Sequence, residues 1–432
     1  MPLSPPRSSW PALALALALA LLLPACTPAV RGPQWAKVSE QTPAALLDSE
    51  ARDPSVAADT TGRIALTWVA SDTAGSDVWV AVSRDSGARF APPVRVNEKR
   101  GQVASYPESR PLVALGPAGR VLVAWAARRD TMPEADDIMV RVSEDDGAHF
   151  APAVALNSDH LDPRSTYHGF LALAASPAGE VALAWIDGRA SLLAPGEDEP
   201  ARAQVRVAVS RDGGTSWSPD AIVASDVCSC CRLGMQLDDS GRIAIAYRSA
   251  REDLRDPRLA LSVDHGVSFG LDTLVSLDHW HLNGCPSIGP TLTLANEGGF
   301  YAWTTGSDST ADHAPPGSYY AAWHFSGRSG PRRAVLDGVR DGPREANRPM
   351  LAAFERGALL GVLAIPAEDS TRHVLAVRRL DVRGAAGPWL FLGTGVRSAA
   401  LAAAGERRMW AAWVEKLANG PRVRLARIIV SP

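Results

Sequence analysis

Lysine is nearly missing from this chain: Lys37, Lys99 and Lys416 are the only three in 432 residues. Positive charge is therefore carried by arginine, and the formal balance of −3 gives no basic footprint of the kind nucleic-acid binders show. No Gly-x-x-x-x-Gly-Lys stretch exists to cradle a phosphate, and no His-Glu-x-x-His exists to hold a catalytic zinc. The 3.6-residue periodicity that would place either motif beside a helix is also absent. Tyrosine stops early, since none follows Tyr320. Cysteine is scarce at five residues, and one of those stands close to the N-terminus.

Long apolar runs are missing too, apart from one at the start. Arg7 is followed by an apolar segment from Trp10 to Leu23 and then by Leu23-Pro24-Ala25-Cys26. The segment is too short and too early for a membrane span, and it has the form of an export signal over residues 1–25. A small residue before Cys26, with Leu23 three positions upstream, resembles the bacterial lipobox. That resemblance implies acylation of Cys26, a linker over 26–34, and an exported lipoprotein of the cell envelope that meets the membrane through its lipid alone. Ordinary cleavage near Ala25 is the alternative.

What is present is repetition. Ser-x-Asp-x-Gly-x-x-Phe/Trp occurs at Ser83 to Phe90, Ser143 to Phe150, Ser210 to Trp217 and Ser262 to Phe269. Each copy supplies a Ser and an Asp that hydrogen-bond a tight turn, and a Gly that accepts positive φ. Between the copies, Gly62, Gly119, Gly179 and Gly241 each precede an aromatic by six residues, at Trp68, Trp125, Trp185 and Tyr247. The register extends to Trp303 and Trp413, and the interval between those two holds one further unit without its aromatic. No unit of this length buries its own faces alone, so the chain is expected to be all-β: a propeller of four-stranded blades over residues 35–432. The count favours seven blades, with six as the alternative. The last unit ends after its third strand, and Trp35 to Ser39 is expected to supply the fourth.

The four Ser-x-Asp-x-Gly turns resemble the Asp-box, or BNR, repeats of sialidase-like propellers. The resemblance implies that these turns are structural and lie on the face opposite any site. The working face is then the one where the first strands begin, with Arg52, Arg110, His168, the run Cys230-Cys231-Arg232, Cys285 and Arg348, joined by loops carrying Arg248 and Arg255. Setting Cys26 aside, Cys228, Cys230, Cys231 and Cys285 form an even set in a compartment that permits two disulfides, with the pairing open. The stretch with Cys-x-Cys-Cys and Gly284-Cys285-Pro286 resembles a group of secreted bacterial BNR-repeat proteins.

An exo-sialidase of this family needs an arginine triad, a late Tyr activated by Glu, and an acidic residue. Arg52-Asp53-Pro54 stands where the family has Arg-Ile-Pro, and the late Tyr is absent. No catalytic residue and no cofactor is assigned. The expectation is a binding module for a glycan, an anionic ligand or an envelope protein partner, with no nucleic acid, held at Arg52, Arg110, His168, Arg248, Arg255 and Arg348. The alternatives are a sialidase or related glycoside hydrolase, and an envelope metal protein using the cysteines with His279 and His281.

Overall fold

The computed structural model describes residues 35–431, except 44–45, 47–49, 131, 133–134, 163–165, 194–202, 296, 308–314, 338–342, 355–356, 367–371, 406 and 418–419. The expected export signal, Cys26 and the linker over 26–34 lie outside the described residues, as do parts of two long loops.

Among the described residues the strands form seven antiparallel sheets in chain order. The innermost strand of each contacts those of its two neighbours, which closes a ring. The fold is a seven-bladed β-propeller, and the six-bladed alternative falls away. The inner strands are Ala51–Ala58, Leu112–Leu115, His168–Ala175, Gly234–Leu237, Thr291–Leu292, Glu345–Phe354 and Val396–Ala404.

The second strands are the apolar ones, because each is covered on both faces by adjacent blades. Val121–Arg128 and Val181–Asp187 are buried almost throughout, and Trp125, Trp185, Tyr247 and Trp303 sit in the seams. The unit lacking its aromatic is blade six, where Gly357–Ile365 fills the same seam with Leu359, Leu360, Val362 and Leu363. Aliphatic packing substitutes for the indole without changing the strand.

Closure is as the repeat count requires. Ala36–Glu40 pairs with Gly420–Val430 from Ala36 against Val430 to Glu40 against Ala426, and the Ser431 amide donates to the Trp35 carbonyl at 2.7 Å. The last blade therefore takes its outer strand from the start of the fold, and the edge of Gly420–Val430 is covered.

All four Ser-x-Asp-x-Gly turns connect a third strand to a fourth, with one geometry. In the first, Ser83 Oγ donates to Asp85 at 2.8 Å and accepts from the Gly87 amide at 2.9 Å, and Asp85 accepts from the Arg89 amide at 2.8 Å. Ser143, Ser210 and Ser262 repeat the first two contacts. Ser86 also donates its amide to Gly62 in the turn between the first and second strands, so these turns share one face of the ring.

Candidate functional site

The opposite face is built by interruptions of the inner strands. In blades one, three and six the pairing shifts register between Arg52 and Ser55, between Gly169 and Ala172, and between Asn347 and Met350. Inside each shift one non-glycine residue takes left-handed backbone: Asp53 at φ 50°, Phe170 at 56° and Arg348 at 50°. Such conformations cost on the order of 1–3 kcal/mol and persist where packing imposes them, commonly around sites. In blade two the inner strand is split, and residues 105–111 between Val103–Ala104 and Leu112–Leu115 carry Glu108 and Arg110 to the channel mouth.

Four chain segments meet there on one carboxylate. Glu108, only 4% exposed, accepts both oxygens' worth of Arg232 Nη1 at 2.9 and 3.0 Å, Arg348 Nη1 at 3.1 Å and the Gly289 amide at 3.2 Å. Arg232 also donates to the Pro349 carbonyl at 2.6 Å. Arg110, half-buried beside them, donates to the Ala399 carbonyl at 2.6 Å, its one hydrogen bond among the described residues. Burial, then the neighbouring Arg232 charge, pulls its guanidinium down to about 10, so it stays cationic at neutral pH. Arg52 lies further out, bonded to Asp53, to the Ser105 carbonyl at 2.9 Å and to Ser76 at 2.9 Å. Two guanidinium groups thus hold one carboxylate, and with Arg110 beside them positive charge is left over.

Below this group lies a cavity of about 200 Å³ lined by Glu108, Arg110, Arg232, Leu112, Met350 and Leu401. Its rim is charged and its floor apolar. Tyr106, 47% exposed, stands on the rim with its ring edge-on to Phe170 at 5.4 Å. At the other end the channel widens to about 730 Å³ among the turns that join first and second strands.

Of the residues the sequence nominated, Arg110 and Arg348 come together, and Arg52 stands on the same rim. The other three serve the scaffold. His168 is 1% exposed, donates Nδ1–H to the Asp136 carbonyl at 2.7 Å, and lies 3.2 Å from both Asp159 and Asp187. Arg248 is buried, bonds the carbonyls of Arg255, Ile288 and Thr304, and lies against the Trp280 ring. Arg255 is buried beside it, reaching Asp253 and the Gly284 carbonyl at 3.4 Å. Arg232 stands among the strand entries that the sequence places at this mouth but outside the six candidate ligand residues, and Glu108 is a residue the sequence does not single out. Their only signal was place, each lying at the start of an inner strand.

The cysteines occupy the adjoining sector. Cys230 is bonded to Cys285, whereas Cys228 and Cys231 are buried thiols with their sulfurs 2.9 Å apart. The expectation of two bridges is replaced by one bridge and one dithiol. The metal alternative loses a donor in this arrangement. Among the described residues the one His/Cys/Asp/Glu group compact enough for an ion is Cys228, Cys230 and Cys231; His279 and His281 stand outside it, and Cys230 is spent in the disulfide.

The hydroxyls of Tyr247, Tyr301, Tyr319 and Tyr320 bond Asp272 or backbone carbonyls, and among the described residues no tyrosine hydroxyl bonds a glutamate.

No protein-family model matches the chain, and no curated protein matches it. Solved structures do. An ulvan lyase of polysaccharide lyase family PL25, bound to -[GlcA(1-4)Rha3S]-, is 11% identical with a TM-score of 0.51, covering 88% of this chain and 94% of its own. Polysaccharide lyase Uly1 is 10% identical with a TM-score of 0.51, over 89% of this chain and 90% of its own. A Hadza microbial sialidase is 13% identical with a TM-score of 0.44, over 77% and 66%. The likeness to the two lyases is one of fold, a β-propeller.

Proposed function

We propose that the chain is an exported propeller that binds an acidic glycan, seating one anionic group of the sugar on Arg110, Arg232 and Arg348 at the channel mouth. One observation carries this reading: two guanidinium groups, of Arg232 and Arg348, bond the single carboxylate of Glu108, and a third, of Arg110, lines the same cavity with its one hydrogen bond among the described residues going to the Ala399 carbonyl. Guanidinium forks suit carboxylate and sulfate by charge and by geometry. The cavity of about 200 Å³ is below the ~300 Å³ at which drug-sized pockets begin, so it takes one charged group or one terminal sugar. Tyr106 offers an aromatic edge at the rim for the next ring. The ulvan lyase of similar fold was solved with a glucuronate-containing oligosaccharide, which lends the sugar class some support.

The reading is one of binding, with a sialidase or related glycoside hydrolase as the alternative that the sialoside assay below decides. The expected lipid on Cys26 would hold the propeller at the envelope, where an acidic polysaccharide or an envelope partner displaying one is within reach. Cys26→Ser is expected to move the protein from the membrane to the soluble fraction.

The test is calorimetric titration of the purified protein with glucuronate-containing and sialic-acid-containing oligosaccharides and their neutral counterparts. Binding of an acidic member, lost in Arg110→Ala and Arg348→Ala, supports the proposal. Equal binding of the neutral sugars overturns it, and so does no binding at all. Release of product from a fluorogenic sialoside would replace it with the hydrolase reading.

A further inference from the structure

Cys228, Cys230, Cys231 and Cys285 hold one disulfide and two thiols within contact of each other. The Cys228 sulfur lies 2.9 Å from that of Cys231 and 3.7 Å from that of Cys230, so it touches both its dithiol partner and the existing bridge. Cys228 and Cys231 are buried, whereas Cys285 is exposed. We propose that these four residues form a thiol–disulfide exchange centre, in which Cys228–Cys231 and Cys230–Cys285 are alternative seats for one disulfide.

The surroundings favour an anionic sulfur at Cys228. Arg248 Nε and both Nε and Nη1 of Arg255 are buried without a hydrogen-bond partner, and the charges of these two guanidinium groups act on this thiol. The Cys231 thiol and the Cys230 amide also donate toward it, and together with the arginines they draw Cys228 down to about 6 against the cost of burial. Burial pushes Cys231 well up, with the Cys228 charge beside it adding to the effect. One sulfur is set to attack and its neighbour to hold a proton until called on.

The exchange balances without an outside oxidant. The Cys228 thiolate attacks the Cys230 sulfur, a Cys228–Cys230 bond forms, the Cys230–Cys285 bond breaks, and Cys285 leaves as a thiolate that takes a proton from water. Cys231 then gives its proton to water and attacks the Cys228 sulfur, forming Cys228–Cys231 and releasing Cys230 as a thiolate that is protonated in turn. One disulfide and two thiols stand on each side. The product places a free thiol at Cys285, the member of the set that solvent reaches, and there an external thiol or disulfide exchanges.

The experiment uses the full-length protein, equilibrated in a glutathione redox buffer until two of the four sulfurs are reduced, then freed of glutathione and given a charged maleimide. Acid quenching and non-reducing peptide mapping read the outcome. Cys285 is expected to become labelled while Cys228–Cys231 accumulates in equal amount. In Cys228→Ser, checked for a cooperative melt, labelling of Cys285 is expected to slow at least ~tenfold with Cys230–Cys285 intact. Should that variant not fold, Cys231→Ser serves, and is expected to label at Cys285 while trapping Cys228–Cys230. The proposal is overturned if the two-thiol protein keeps a single pairing after glutathione is removed. It is equally overturned if Cys285 labels as fast in Cys228→Ser, or if Cys231→Ser traps no Cys228–Cys230 bond.

Discussion

Arg232 Nη1 lies 2.9 and 3.0 Å from the two oxygens of Glu108, although 124 residues separate them in the chain. Blade two thereby reaches across the channel to blade four, and Arg348 brings in blade six at 3.1 Å on the same carboxylate. Removing one member of a buried charge pair typically costs 3–5 kcal/mol, because the other charge is left uncompensated. Glu108→Gln is therefore expected to lose about 3 kcal/mol in denaturant unfolding. Anion binding should move the opposite way, tightening by roughly tenfold at low salt, since the competing carboxylate is gone. Calorimetry beside urea titration separates the two effects, and a fall in both would mark Glu108 as a ligand-positioning group.

His168 makes a second, pH-dependent case. Burial opposes its charge, yet Asp159 and Asp187 hold the imidazolium and raise it to about 9. A histidine raised in the folded state contributes stability that is complete below its unfolded value near 6.5 and is lost as pH rises through 9. The contribution is about 3 kcal/mol. Asp136, raised by burial to about 6, completes its titration at the lower edge of that window. Urea midpoints measured from pH 6.5 to 9.5 should fall more steeply, or rise less, in the wild type than in His168→Gln, since the Cys228 thiol, lowered to about 6 in the fold, adds stability over the same range in both proteins.

The turn glycines yield a prediction that separates scaffold from site. Gly87 has φ +81°, and a Cβ added there would lie 2.5 Å from the Trp410 ring of the last blade. Gly87→Ala is expected to cost roughly 1–3 kcal/mol from strain and overpacking. Calorimetry at a temperature where the variant is folded should return the wild-type affinity for an acidic oligosaccharide.

The scaffold was legible because it repeats. Four identical turns set the blade, the Gly-to-aromatic spacing counted the rest, and the incomplete last unit pointed to Trp35–Ser39 as its missing strand. Blade six was legible without its aromatic because its strand lengths remained. The site was legible only by position. Arg110 and Arg348 were found as arginines at the start of inner strands, but Arg248 and Arg255 have the same local sequence character and are buried under Trp280. What distinguishes them is which carbonyl or carboxylate lies across the ring, and no local pattern carries that. Glu108 and the cysteine pairing were hidden for the same reason.

Ring closure can be tested by removing the strand that performs it. Deleting residues up to Glu40 exposes the edge of Gly420–Val430, which the five-residue pairing otherwise covers. An uncovered edge strand is a template for another chain. The truncated protein is expected to melt several degrees lower and to shift from one species toward larger ones in light scattering. A monomer of unchanged melting temperature would mean the closing strand is dispensable.

The cysteine sector and the arginine group share a loop. Gly289, four residues after Cys285, donates its amide to Glu108 at 3.2 Å, and Arg248 holds the Ile288 carbonyl at 3.1 Å. The Cys230–Cys285 bond ties that loop to the start of the inner strand that carries Arg232. Breaking it frees the segment that orients Glu108, and a site that must be ordered on binding loses affinity. If the mouth binds an acidic sugar as proposed, reduction should weaken that binding roughly tenfold, and Cys285→Ser should reproduce the loss without reductant. Binding measured with and without reductant on wild type and variant decides it. Equal affinities in all four would show that the loop holds its position without the bridge, leaving the arginine site and the sulfur centre independent.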